Sequence, residues 1–121
     1  VPRFKKSSPD LVARVVDLID AIPGSARTQM FGCPVGTLGG NMFIGLFEDH
    51  LFVRLPEAER ATLIEQFGGR AFEPIPGRPM KEYVVVPHDL TTTDALDVWV
   101  ERACNYAKSL PSNDPKRRNL R

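Results

Sequence analysis

The side chains best placed to do chemistry in this sequence fall in four short clusters. Glu48-Asp49-His50 sets two carboxyl groups beside an imidazole, a combination suited to general acid/base work or to holding a metal. The same three residues also make a polar turn between two apolar runs, which turn preferences favour. His88-Asp89, just after Val86-Pro87, repeats the imidazole and carboxyl pairing and reads first as a loop leading into a helix. Were the two histidines to meet beside an acid they could hold a cation, but their spacing gives no reason to expect it. Cys33 would be a nucleophile only next to a base in an electropositive pocket; as small apolar residues, Cys33 and Cys104 fit a core equally well. Arg78 stands between Gly77 and Pro79 as a cation on a stiff loop, suited to an anion, a partner carboxylate or a loop-stabilising hydrogen bond.

Stronger signatures are missing from the sequence. It has no nucleophile elbow, no phosphate-loop lysine motif and no strand-GxGxxG-helix unit, so the glycines from Gly32 to Gly40 read as turn geometry. No catalytic residue, cofactor or metal ligand is therefore assigned. The expected class is a non-enzymatic interaction or regulatory module. The alternative is a small-ligand binder or enzyme with a pocket between residues 72–80 and the hairpin at residue 50, using Arg78, His50 or His88 as polar contacts.

The elements that must position these groups centre on residues 29–55. Short apolar runs broken by Gly39-Gly40-Asn41 and Glu48-Asp49-His50 predict three strands joined by tight turns. The first spans 28–33 with a bend at Gly32, Pro34 and Gly36, the second 42–47 and the third 51–55. Alternation places Met42, Ile44 and Leu46 on one face of the second strand and Phe43, Gly45 and Phe47 on the other. In the third, Leu51, Val53 and Leu55 oppose Phe52 and Arg54. Both faces are apolar, so the sheet needs two covers.

Ser8-Pro9-Asp10 starts a helix that runs to about Ile22, with Leu11, Val12, Val15, Val16, Ile19 and Ile22 on one face. A second helix follows Pro56-Glu57 and ends at Gly68-Gly69, with Ala61, Leu63, Ile64 and Phe67 expected to be buried. The proline-rich segment 72–79 is a loop or edge, and Tyr83 to Val86 form a strand. The last helix begins near Thr93-Asp94 and carries Leu96, Trp99, Val100, Ala103, Ala107 and Leu110 at spacings of three and four.

At 121 residues and 42% hydrophobic composition the chain suits one domain with one core. No apolar run is long enough for a membrane span, and the basic start lacks the apolar region of a secretory signal. Two distant cysteines fit reduced thiols in a cytoplasmic setting. Residues 1–7 and 112–121 are expected to be flexible basic ends around a domain at 8–111. The net charge of +1 is unevenly spread: residues 7–115 hold nine basic against fifteen acidic side chains, or −6. Such a body is not expected to bind nucleic acid tightly, which needs Lys and Arg gathered on one face.

The order helix, meander, helix, strand, helix, with Met30-Phe31-Gly32, Met42-Phe43, Leu55-Pro56-Glu57, Phe72-Glu73-Pro74, Gly77-Arg78-Pro79-Met80, Tyr83, Val86-Pro87 and Trp99, resembles the TfoX N-terminal domain family over residues 8–111. The resemblance implies an α+β fold, α-β-β-β-α-β-α, with a wrapped antiparallel sheet similar to secretion-chaperone-like folds that often dimerise. It also implies a bacterial stand-alone relative of competence regulators, lacking their helical C-terminal domain. The family brings no catalytic residues. A homodimer through the sheet is expected, with Phe31, Phe43, Phe47 and Phe52 at the contact.

Overall fold

The computed structural model describes residues 6–113. Its element order is α1 (Pro9–Asp20), β1 (Ser25–Met30), β2 (Cys33–Leu38), β3 (Asn41–Phe47), β4 (His50–Arg54), α2 (Glu57–Phe67), β5 (Arg70–Ala71), β6 (Tyr83–Val85), α3 (His88–Thr91) and α4 (Ala95–Ser109). The strands form one antiparallel sheet in the order β1-β2-β3-β4-β6-β5, which with the helices makes an α+β fold. The expected order holds, with refinements. What reads as one bent strand at 28–33 is the turn of a hairpin, because Phe31 and Gly32 both take left-handed backbone (φ 56° and 75°) and reverse the chain between β1 and β2. The meander thus has four strands.

The α1 helix starts as the sequence dictates. Ser8 Oγ accepts from the Leu11 amide at 3.2 Å, and Pro9 opens the first turn. Val15 and Ile19 on its inner face are buried. Ile19 lies on Gly36, where a Cβ would stand 2.8 Å from Ile19 Cγ1, so the helix and β2 meet at a distance only glycine permits. At the other end of the chain α4 buries Leu96, Trp99, Val100, Ala103, Cys104 and Ala107 against the same sheet face. Asn41 Nδ2 donates to the Pro111 carbonyl at 3.0 Å and the Asn113 amide to the Gly39 carbonyl at 2.7 Å. The first residues of the expected basic tail are thus tied to the β2–β3 turn; residues 114–121 and 1–5 lie outside the described residues.

A bulge corrects the face assignment of β3. Gly36 pairs with Ile44 and Thr37 with Met42, which leaves Phe43 as an extra residue. Phe43 therefore joins Ile44 and Leu46 in the helix-side core, while Met42 turns to the opposite face with Phe47. Strict alternation fails there because one inserted residue inverts everything on its N-terminal side.

The second sheet face is covered from within the chain. Val35, Phe47, Phe52, Phe72 and Val85 form a separate buried cluster, edged by Met30, Met42, Met80 and Tyr83. Phe72 enters it from the loop after β5, and Met80 closes it through a backbone bond to the Phe72 carbonyl at 2.9 Å. Gly45 makes room, since a Cβ there would meet Phe52 Cζ at 2.4 Å and Val35 Cγ1 at 2.7 Å. The four residues expected at a dimer contact differ in exposure within this one chain. Phe43 and Phe52 are fully buried and Phe47 is 6% exposed, so of the four residues only Phe31, at 37%, reaches the surface.

The α2 helix also departs from expectation. Leu63 is its buried residue, whereas Ile64 and Phe67 are exposed; the helix packs on β5 and β6 at one side of the sheet. Gly68 closes it with φ 84°, as its position predicts.

Candidate functional site

Asp49 and His50 of the Glu48-Asp49-His50 cluster take different partners. Asp49 Oδ1 accepts from the Ser8 amide at 2.9 Å, which ties the β3–β4 turn to the start of α1. Glu48 sits in that turn with φ 54°. His50 points toward β5, where Arg70 Nη2 lies 3.1 Å from Nδ1 and 3.2 Å from Nε2. Burial, then the Arg70 charge, pulls the His50 pKa below its ordinary value.

The structure brings His50 and His88 together, with ring centroids 6.3 Å apart, although their spacing gave no reason to expect it. The cause is register: Val86 donates to the Leu51 carbonyl at 2.8 Å, which carries the start of α3 to the start of β4. No group of three or more His, Cys, Asp or Glu side chains suited to a metal occurs among the described residues. Arg78 lies in the exposed turn 75–78, where its amide donates to the Ile75 carbonyl at 2.9 Å. A cavity of about 330 Å³ does exist beside the 72–80 loop, lined by Phe47, His50, Arg70, Phe72 and Glu73 among others. His50 reaches it; Arg78 and His88 do not line it, and Arg70 is the cation that sequence reasoning missed.

Both thiols lie in packed surroundings. Cys104 is in the α4 core, and burial pushes its thiol above the ordinary range. Cys33 is 8% exposed, with Sγ 3.2 Å from Ser7 Oγ and 3.7 Å from the Phe31 carbonyl. Neither contact supplies a base.

The most developed polar cluster was not legible as a motif. Glu82 Oε1 accepts from Arg54 Nε at 3.0 Å and Nη2 at 2.7 Å, while Oε2 accepts from the Tyr106 hydroxyl. The Arg54 guanidinium lies 5.5 Å from the Tyr83 ring centroid and 5.9 Å from that of Tyr106. These contacts link β4, the residue before β6, and α4. Glu82 holds φ 77°, a strained backbone for a residue with a Cβ. Hydrogen bonds from Tyr106 and Arg54 hold its carboxyl below the usual range, and the same bond raises Tyr106. Both donors converge on one carboxylate, which makes the cluster a clamp.

An apolar seam lies between α2 and α4. Phe67 meets Trp99 edge to face at 5.7 Å, and Arg102 covers the same indole at 4.8 Å while reaching Glu59 at 3.8 Å. Phe67 is 47% exposed, and Ile64, one turn before it on α2, and Val98, next to Trp99 in the α4 sequence, are 39% and 48% exposed.

A helix-backed antiparallel sheet with an apolar second face folded over by its own loop defines an α+β domain. The chain belongs to the TfoX N-terminal domain family, whose model matches residues 17–107. No curated protein and no solved structure matches it significantly. No helix among the described residues is long and apolar enough to cross a membrane.

Proposed function

We propose that the chain is a non-enzymatic protein-interaction module of regulatory type, using the seam between α2 and α4 as its contact surface. The observation that carries this reading is the exposure of Phe67 where it meets Trp99, with Ile64 exposed one turn earlier on α2 and Val98 exposed next to Trp99 in α4. Large apolar side chains grouped on a surface with an aromatic and an arginine at their centre are the composition of an interface core. The commitment of Asp49, His50 and Glu82 to structural partners supports the non-enzymatic part.

A photo-crosslinking residue placed at Phe67 in the native cell tests it, with one at Arg78 as control. The expected result is a discrete protein adduct from position 67 that disappears when Ile64→Glu is added, with unchanged circular dichroism. Sedimentation of the purified chain shows whether a second copy is that protein. Adducts that persist with Ile64→Glu, or catalytic turnover lost on Cys33→Ala or His50→Ala, would overturn the reading.

A second reading is small-ligand binding in the cavity beside the 72–80 loop, favoured by the meeting of His50 and Arg70 at its wall. A ligand that copurifies and is lost with Arg70→Ala would support it.

A further inference from the structure

A larger cavity, about 680 Å³, opens between α1 and the β1–β2 hairpin. Its volume is within the range of small-molecule sites. One wall is apolar, made by Val12 and Val16 of α1 and by Phe31 and Pro34 of the hairpin. Phe31 is held at the rim by the left-handed turn, φ 56°, and by an edge-to-face contact with Phe47 at 5.2 Å. A bulky residue in that backbone region is uncommon, and such strain persists where the surroundings over-determine it.

The polar wall has one sign of charge. Among the described residues, Lys6 and Arg27 line the cavity and no Asp or Glu does. This is against the trend of the domain, since residues 6–113 hold ten basic and fourteen acidic side chains, a net −4. It also contrasts with the cavity of about 730 Å³ at the start of α1, whose lining includes Asp10, Asp49 and Asp94. Arg27 does approach Asp20, at 3.7 Å, but both side chains are about half exposed, so that pair is weak and leaves the guanidinium able to take another anion. Ser7, Thr28 and Gln29 add neutral hydrogen-bonding groups between the cations and the apolar wall.

We propose that this cavity binds a small amphiphilic anion. Its head, a carboxylate or a phosphate ester, meets Lys6 and Arg27, and its hydrocarbon body lies against Val12, Val16 and Phe31. The site goes beyond the protein-interaction reading, uses none of the α2/α4 seam, and stands or falls separately from it.

Amide NMR titration of the full chain with four eight-carbon probes tests the proposal: octanoate, octyl phosphate, octan-1-ol and octyltrimethylammonium. At least one anion is expected to shift amides at 12, 16 and 27–33, about tenfold more tightly than the alcohol or the cation. Preference for octanoate marks a carboxylate site, and preference for octyl phosphate an ester site. Lys6→Glu with Arg27→Glu, both surface changes, is expected to abolish that preference while shifts elsewhere stay native. Equal binding of anion, alcohol and cation, or shifts centred away from the hairpin, would overturn it. So would an anion preference that survives the double charge reversal.

Discussion

The ring of Phe72 lies flat on that of Phe52, with centroids 4.0 Å apart and planes 10° from parallel. This contact joins a proline-rich loop to the middle of the sheet, and it substitutes for the second layer that a two-faced sheet would otherwise require from a helix or a partner. Phe47 meets Phe72 edge to face at 5.7 Å and Tyr83 meets Phe52 at 5.8 Å, so the stack is boxed on two sides.

Phe72→Ala should therefore destabilise the fold by about 3–5 kcal/mol, the usual range for removing a buried phenylalanine. Ile75→Ala, at an exposed position of the same loop, should change stability by about 0.5 kcal/mol or less. Urea midpoints of the two variants check this. Similar midpoints would show that the loop does not cover the sheet.

Gly45→Ala should lower stability by about 1–3 kcal/mol, because the added methyl overlaps Phe52 and Val35. Combining it with Phe52→Leu should give less loss than the sum of the single changes, since the smaller side chain vacates the overlap. A double-mutant cycle by chemical denaturation measures the coupling, and strict additivity would place the strain elsewhere.

Much of the fold follows from local chemistry that a single sequence displays. Ser8-Pro9-Asp10 caps α1, Gly68 ends α2, and the spacing of Leu96, Trp99, Val100, Ala103 and Ala107 gives the buried face of α4. The misreadings share a different cause, in that each depends on a partner far along the chain. The Phe43 bulge exists because β2 pairs out of step at Gly36 and Thr37, and no property of Phe43 announces it. Ile64 and Phe67 have inward spacing but no layer to enter. The Arg54, Glu82 and Tyr106 clamp joins residues up to 52 positions apart, so only the register of β4 with β6 and the packing of α4 assemble it. A left-handed glutamate flanked by ordinary residues carries no sequence signal. The Met30-Phe31-Gly32 motif was legible as a family mark, whereas its role as a hairpin turn at the mouth of a cationic cavity required the fold.

The clamp fixes the sign of an acid transition. Glu82 has a folded pKa below its unfolded value near 4.5, so its stabilisation is complete above that value and is lost as pH falls through the lower, folded one. Glu82→Gln should be less stable than the parent at pH 7, and the difference should shrink as pH falls below the unfolded value near 4.5 and through the lower folded one. Tyr106 sets the opposite limb, since its raised pKa makes stability fall as pH climbs beyond its unfolded value near 10. Thermal unfolding across the pH range checks both limbs, and a parent-to-variant difference independent of pH would show that the charged pair does not hold the clamp.

His50 should titrate below the ordinary imidazole range, because burial and Arg70 both oppose its charge. A depressed folded pKa means that the His50 contribution to stability is present above the unfolded value near 6.5 and declines as pH falls below it. Arg70→Gln removes the second cause and should raise the His50 pKa toward normal. Imidazole carbon-bound proton shifts follow the titration directly, and an unchanged midpoint in the variant would show that the guanidinium does not face the ring in solution.

Electrostatics also set the expected behaviour toward duplex DNA. Residues 6–113 carry −4, whereas Lys116, Arg117, Arg118 and Arg121 follow in the sequence as a basic run. A phosphate backbone should therefore be repelled by the body and attracted only through the ends. Each phosphate contact made by a basic residue contributes about −0.9 to the slope of log affinity against log salt on duplex DNA. Changing the four C-terminal basic residues to Gln should reduce that slope by at most about 3.6 and weaken an already modest, sequence-independent affinity. Fluorescence anisotropy with two unrelated duplexes across a salt series makes the measurement. If the neutralised chain still binds either duplex tightly at physiological salt, the acidic surface conceals a DNA-binding face and the charge argument fails.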